Sequence, residues 1–139
     1  MGKLVLKDAY VEIDGTDLSD RASQVAIETP ADEVEMSTFG GDYHEFGQGL
    51  KDATVTVTFF QDYAATSVDA VLWPLHESGE TFPVIIRPTS AVVSDDNPQW
   101  DMTGRLFNYS PISGEHGAAN TVDVSIRNAS EAGVVRSTS

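Results

Sequence analysis

Thr54-Val55-Thr56-Val57-Thr58-Phe59 alternates polar and apolar residues without a break. Side chains of a strand point to opposite faces in turn, so this period of two predicts a strand with one apolar face. Downstream, Val68, Val71, Leu72 and Leu75 recur at helical spacing, with Thr66 or Ser67 as N-cap and Asp69 in the first turn. Ser78-Gly79 stops that helix, because glycine accepts the left-handed conformation common at helix ends. Trp73-Pro74 falls inside it, where proline removes a donor and crowds the preceding turn; a kink or an end near Trp73 is expected. Phe82-Pro83-Val84-Ile85-Ile86-Arg87-Pro88 reads as a second, more deeply buried strand. Asp95-Asp96-Asn97-Pro98 turns the chain, and Gln99 to Ser110 makes a third.

Working outward, Leu4-Val5-Leu6 and Tyr10 to Ile13 form an opening strand that breaks at Lys7-Asp8. Asp14-Gly15 is a hairpin dipeptide, and Gln24 to Glu28 reads as the returning strand, ended by Pro30. Asp32 to Ser37 is taken as a strand leading into a loop. In the third strand Trp100, Met102 and Leu106 share a side with Gly104, and Phe107 and Tyr109 take the other; Gly104 marks a bulge or close packing against a neighbouring backbone. Val122, Val124 and Ile126 alternate with polar residues in a last strand. The expected fold is mainly β (α+β): a sandwich or partly rolled barrel with one principal helix near Thr66 to Glu77. Residues 1–128 make one domain, and the small polar residues of 129–139 predict a mobile tail.

Phe39-Gly40-Gly41-Asp42-Tyr43-His44-Glu45-Phe46-Gly47-Gln48-Gly49 is unlike a plain linker. Its glycines give freedom, yet it carries three aromatics and no proline. Either Phe39, Tyr43 and Phe46 fold back on the domain, or they await a partner.

The order of these pieces resembles the tail tube (major tail) proteins of long-tailed bacteriophages. The matching residues are Thr56 to Phe59 running into Gln61-Asp62-Tyr63, then Val71-Leu72-Trp73-Pro74-Leu75. Gly79-Glu80 before Val84 to Pro88, Asn97-Pro98 before an aromatic, and Gly104 complete the set, which spans Leu4 to Asn128. The resemblance implies a structural virion protein, made in the host cytoplasm, that assembles as stacked hexameric rings around a passage for DNA. It implies other tail proteins as partners (tape measure, tail terminator, distal tail), no membrane, no enzyme activity and no cofactor. It also implies that the long loop reaches adjacent subunits, which makes Phe39, Gly40, Gly41, Asp42, Tyr43, His44, Glu45, Phe46 and Gly47 the expected interface. The related tube of a contractile tail or secretion system is a variant of this reading. The alternative from another class is a monomeric ligand-binding β-sandwich, such as a carbohydrate-binding module, with Trp73, Trp100 or Tyr109 as an aromatic platform.

Composition bounds the chemistry independently. A chain of 139 residues buries about two-thirds of its unfolded surface, enough for one domain without staples. There is no cysteine, hence no disulfide, thiolate nucleophile or cysteine metal site. No apolar run approaches a membrane helix, and the N-terminus meets charge too early for a signal peptide; Leu6 stands where a myristoylation motif needs Ser or Thr. Acidic residues outnumber basic ones 22 to 8, a formal charge of −14. Between Arg21 and Lys51 lie Glu28, Asp32, Glu33, Glu35, Asp42 and Glu45 with no cation among them. Such a surface repels phosphates, which argues against a basic DNA-binding groove and suits either plain solubility or a lumen to which DNA does not adhere.

Searches for catalytic patterns return little. His44, His76 and His116 lie in no metal-ligand spacing. Gly47-Gln48-Gly49 lacks the third glycine of a dinucleotide loop, and no nucleophile elbow or Walker A loop occurs. Asp95, Asp96, Asn97 and Asp101 are oxygen-rich, but they lack the glycine and terminal glutamate of a calcium loop and read better as a turn. Adjacent Asp32 and Glu33 point apart in any regular structure, so they form no acid–base pair.

Overall fold

The computed structural model describes residues 5–138. The alternating Thr54–Phe60 segment is strand β6 of ten, with Val55, Val57 and Phe59 fully buried. In chain order the others are β1 (Tyr10–Ile13), β2 (Thr16–Asp17), β3 (Ala22–Glu28), β4 (Ala31–Glu35), β5 (Phe46–Lys51), β7 (Phe82–Arg87), β8 (Gln99–Tyr109), β9 (Thr121–Asn128) and β10 (Val135–Ser137). One helix, α1 (Val68–Ser78), lies between β6 and β7. The expected mainly β architecture with one principal helix is what forms.

Eight strands make one antiparallel sheet in the order β2-β1-β7-β8-β9-β6-β3, with β10 also paired to β8. The eleven residues of β8 are its pivot. Their first half pairs with β7 and β10, and their second half pairs with β9. Gly104 stands at the changeover, opposite Phe82 on one side and Asn128 on the other. A Cβ there would meet Ile126 Cγ2 at 2.5 Å and the Arg127 carbonyl oxygen at 2.9 Å, so close packing is the reason for this glycine. A single core cluster joins Val11 and Ile13 of β1, Val84 and Ile86 of β7, and the buried residues of β6 and β9. Val68, Leu72 and Leu75 of α1 pack into the same cluster.

Four expectations need correction. First, α1 does not end at Trp73 but runs through Pro74 to Ser78. Ala70 and Pro74 both lie on its exposed side, so the carbonyl that loses its donor faces solvent. Gly79 then closes the helix in the left-handed region, φ 69°, and its N–H donates to the Leu75 carbonyl. Second, Tyr109 is buried and Phe107 alone faces out, because a bulge lies between Leu106 and Asn108 and resets the alternation. Third, the Asp14-Gly15 turn returns only into β2, both turn residues having positive φ, whereas β3 pairs with β6 at the far edge of the sheet. Fourth, the opening segment is a strand only from Tyr10 onward, with Leu4 outside the described residues. Within the 129–139 segment, expected as a mobile tail, Val135, Arg136 and Ser137 form β10 and pair with Asp101, Trp100 and Gln99, and Ser139 lies outside the described residues.

The Asn97 turn is fixed from within. Its side chain is buried, accepts from the Thr89 N–H at 3.1 Å and donates to the Ala91 carbonyl at 2.9 Å. That amide is occupied by the loop it closes.

Candidate assembly surfaces

Strands β4 and β5 pair only with each other and form a separate two-stranded sheet. They continue the β3–β6 pair past the end of the main sheet: Glu28 pairs with Thr54, and after a break at Pro30 and Asp52, Ala31 pairs with Lys51 and Glu35 with Phe46. Residues 22–60 are therefore one long hairpin whose inner half is sheet and whose outer half is an arm. Six residues of β5 at about 3.3 Å each reach roughly 20 Å.

Glycine keeps this arm thin. Gly47 and Gly49 face Met36 and Val34, and a Cβ on Gly47 would lie 2.4 Å from Met36 Sδ. The expected loop is thus shorter than eleven residues: Phe39, Gly40, Gly41, Asp42, Tyr43, His44 and Glu45 lie in the connection, whereas Phe46 and Gly47 belong to β5. Glycine-rich β5 has poor strand propensity, and its pairing with β4 overrides it. The connection is held by few bonds, chiefly Met36 N–H to the Glu45 carbonyl at 2.7 Å and Glu45 N–H to Ser37 Oγ at 2.8 Å. His44 Nδ1 lies 3.5 Å from Glu35 Oε2.

Among the described residues, little covers the arm's apolar side chains. Phe39 and Tyr43 are fully exposed, and Leu50, Phe46, Met36 and Val34 are largely so. An isolated two-stranded ribbon is marginal in water, and exposed apolar groups of this kind mark contact surfaces.

The opposite end of the long hairpin is built differently. Gln61-Asp62-Tyr63 follows β6 and knots five segments together. Gln61 Nε2 donates to the Pro111 carbonyl at 2.6 Å and to Tyr109 Oη at 3.1 Å; Tyr109 Oη donates to Asp69 Oδ1 at 2.7 Å. Tyr63 Oη donates to the Pro111 carbonyl at 2.6 Å and accepts from Asn120 Nδ2 at 3.2 Å. Asp62 accepts from the Ala64 N–H, Arg21 Nε and Ser67 Oγ, and these bonds hold its carboxyl down to about 2. Burial, then the bond to Asp69, pushes the Tyr109 hydroxyl well above its ordinary value.

The four strands β3, β6, β9 and β8 share a solvated outer face. Register sets Ala26, Thr56, Ser125 and Asn108 in one row, with Gln24, Thr58 and Asp123 in the next. Thr58 Oγ1 donates to Asp123 Oδ1 at 2.7 Å. A third row holds Glu28, Thr54, Arg127 and Arg105, with Arg127 paired to Asp52 and Arg105 Nε donating to the Gly79 carbonyl at 3.1 Å. This four-stranded unit has two open edges. β3 ends the sheet, and Arg105–Tyr109 of β8 has β9 as its only strand neighbour among the described residues. The β1 edge is capped instead: Ser19 Oγ accepts from the Val11 N–H at 2.9 Å, and Leu18 N–H donates to the Val11 carbonyl.

Neither a protein-family model nor a curated protein sequence matches the chain. Solved structures do. A chain of the native gene transfer agent virion superposes with a TM-score of 0.76 over 99% of both chains, at 14% identity. The SPP1 tail tube matches with a TM-score of 0.74, covering 95% of this chain and 77% of that one at 11% identity. The chain has the tail-tube fold. A third match, from the tail of the empty gene transfer agent particle refined with C6 symmetry, has a TM-score of 0.63 at 15% identity, over 86% of this chain and 82% of the other.

Catalytic furniture is sparse in this tail-tube fold. A cleft of about 700 Å³ lies between the base of the arm and residues 128–136, and its lining includes Leu50, Lys51, Trp100, Glu131 and Arg136 without a histidine. No group of three or more His, Asp or Glu able to hold a metal occurs among the described residues. No described helix is long and apolar enough to cross a membrane.

Proposed function

We propose that this chain is the subunit of a tail tube, a non-enzymatic virion protein whose copies close into hexameric rings and stack around a passage for DNA. The observation that carries the reading is the superposition over nearly the whole of both chains with a virion protein. The symmetry of the gene transfer agent tail supports six copies per ring. Open edges at β3 and at the second half of β8 supply the means of closure. Paired between neighbours, they extend the four-stranded unit into a continuous wall and leave no exposed edge. The wall's face is small and polar at its centre, on Ala26, Thr56, Ser125 and Asn108, and a net charge of −14 per copy adds repulsion of DNA.

The arm, Phe39 to Gly47 included, serves as the contact between copies: its aromatics stay uncovered until a neighbour arrives. Tape measure, terminator and distal tail proteins are the further partners at the tube's interior and ends, and the assembled tail is the place of action. A ligand-binding sandwich has less support. Tyr109 is buried, Arg136 lies over the Trp100 ring at 5.9 Å, and Trp73 stacks on His76. Electron microscopy of concentrated purified protein tests the proposal. Rings or tubes are expected; a monodisperse monomer at high concentration overturns it.

A further inference from the structure

Arg105 is an exposed cation in an unfavourable place. Cross-strand register sets it directly opposite Arg127 of β9, and like charges so placed repel. Arg127 is relieved by its pair with Asp52. Arg105 has only the hydrogen bond from its Nε to the Gly79 carbonyl and forms no ion pair among the described residues. In a chain with 22 acidic residues against 8 basic ones, an arginine that faces another arginine and bonds no acid calls for a reason.

The row itself supplies one. At Arg105, β9 covers one edge of β8 and the other edge is open. The same row begins with Glu28, on the open edge of β3 at the far side of the four-stranded unit. Glu28 is exposed, and its carboxylate bonds nothing among the described residues. One row thus ends in an unpaired cation at one rim and an unpaired anion at the other.

We propose that Arg105 of one copy pairs with Glu28 of the next across the seam between β8 and β3, and that this ion pair fixes the register in which the wall closes. The proposal rests on the tube reading, which supplies the neighbour, and adds to it the residues that choose how the edges meet. Each neighbour in the series β3, β6, β9, β8 is antiparallel to the last, so β3 and β8 run in opposite directions. A copy rotated about the ring axis therefore brings its β3 antiparallel to β8. Keeping the exposed face continuous lets Arg105 stand opposite Gln24, Ala26 or Glu28, since a slip of one residue would turn it to the core. Pro30 lies beyond the end of β3 and has no N–H to offer. Opposite Gln24, the Tyr109 end of the free edge would overrun the start of β3 at Ala22. Opposite Ala26, the pairing would cross the irregularity between Ala22 and Gln24. Opposite Glu28, the free edge from Arg105 to Tyr109 meets the regular stretch from Gln24 to Glu28 along its whole length. Phe107, 63% exposed, then falls beside the small Ala26, and opposite charges meet. Because β8 of one copy meets β3 of the next, the contact is heterologous and makes a ring where the rotation closes. A charge pair at such a rim selects partner and register more than it adds affinity.

Charge exchange tests the pair. Arg105→Glu and Glu28→Arg are prepared singly, as an equimolar mixture and combined in one chain, and circular dichroism checks that each folds. Each single variant sets like charges opposite at every seam, so the concentration it needs for assembly is expected to rise about tenfold or more. Mixing the two is expected to restore rings, because each seam then joins two exchanged edges or two native ones. Native mass spectrometry is expected to find both chains in equal numbers in those rings. The chain carrying both exchanges is expected to assemble alone. Single variants that assemble like the parent, or a double exchange no better than either single, overturn the pair while leaving the tube reading intact. Rescue of Arg105→Glu by Ala26→Arg in place of Glu28→Arg does so too, since it sets the seam two residues away. If the parent protein forms no rings or tubes, both fall together.

Discussion

Gly104 and Asp62 are single positions on which much of the subunit depends. At Gly104 two strand pairings meet with no room for a side chain, since Ile126 and the Arg127 carbonyl already occupy the space. Gly104→Ala is expected to cost roughly 1–3 kcal/mol from overpacking, read as a lower urea midpoint. Asp62 acts through charge. Its folded carboxyl titrates near 2, first because of the Ala64 N–H and then because of Arg21 and Ser67, below the 3.8 of a free aspartate. A depressed carboxylate contributes stability above its unfolded value and loses it as the pH falls through the folded one. The melting temperature is therefore expected to drop between about pH 4 and pH 2, and Asp62→Asn is expected to flatten that part of the curve. An unchanged acid limb in the variant would remove Asp62 from the explanation. Residue roles of this kind were partly legible. Gly104 stood out in an apolar strand, whereas nothing near Asp62 in sequence indicates Arg21, which meets it only through the β3–β6 pairing.

Elements announced by local pattern form as read: β6 and β9 by alternation, β7 by its apolar run, α1 by its apolar spacing and its Gly79 stop. Those that depend on distant pairing do not announce themselves. β3 follows a hairpin turn in sequence yet crosses to the other edge of the sheet. The first four residues of β5, Phe46-Gly47-Gln48-Gly49, read as loop because only Val34 of β4 and Met36 just beyond it reveal why the glycines suit a strand. The Leu106–Asn108 bulge likewise reverses Tyr109 without any signal in the alternation itself. For the same reason the arm's residues were visible from composition, but the end of the sheet carrying Phe60, Tyr63 and Ile112 was not, since only the fold brings them together. The arm supplies the clearest test at this scale. Replacing Gly40–Glu45 with a two-residue Asn-Gly turn is expected to leave far-ultraviolet circular dichroism unchanged while abolishing tubes. Amide exchange is expected to slow across residues 36–50 when parent subunits assemble; equal protection before and after would remove the arm from the contact.

The whole molecule carries −14, and the proposed ring of six copies would multiply that charge within a small radius. Screening extends about 10 Å at 0.1 M salt and about 3 Å at 1 M, so assembly is expected to strengthen with ionic strength. The critical concentration, followed by light scattering, is expected to fall as sodium chloride rises; a rise would mean that ion pairs, not apolar burial, hold the copies together. The long hairpin of residues 22–60 carries a mechanical corollary. Wall and arm are cut from the same two strands, so a pull on the arm runs straight down the backbone of β3 and β6. Both strands are drawn the same way, so the load passes to β9: hydrogen bonds between antiparallel strands lie across that line, and axial tension shears the seven paired positions of β6 and β9 together instead of unzipping them in turn. Under stretching, the joint between subunits therefore yields before the subunit does: the column parts at its seams, and each released unit is still folded and fit to rejoin.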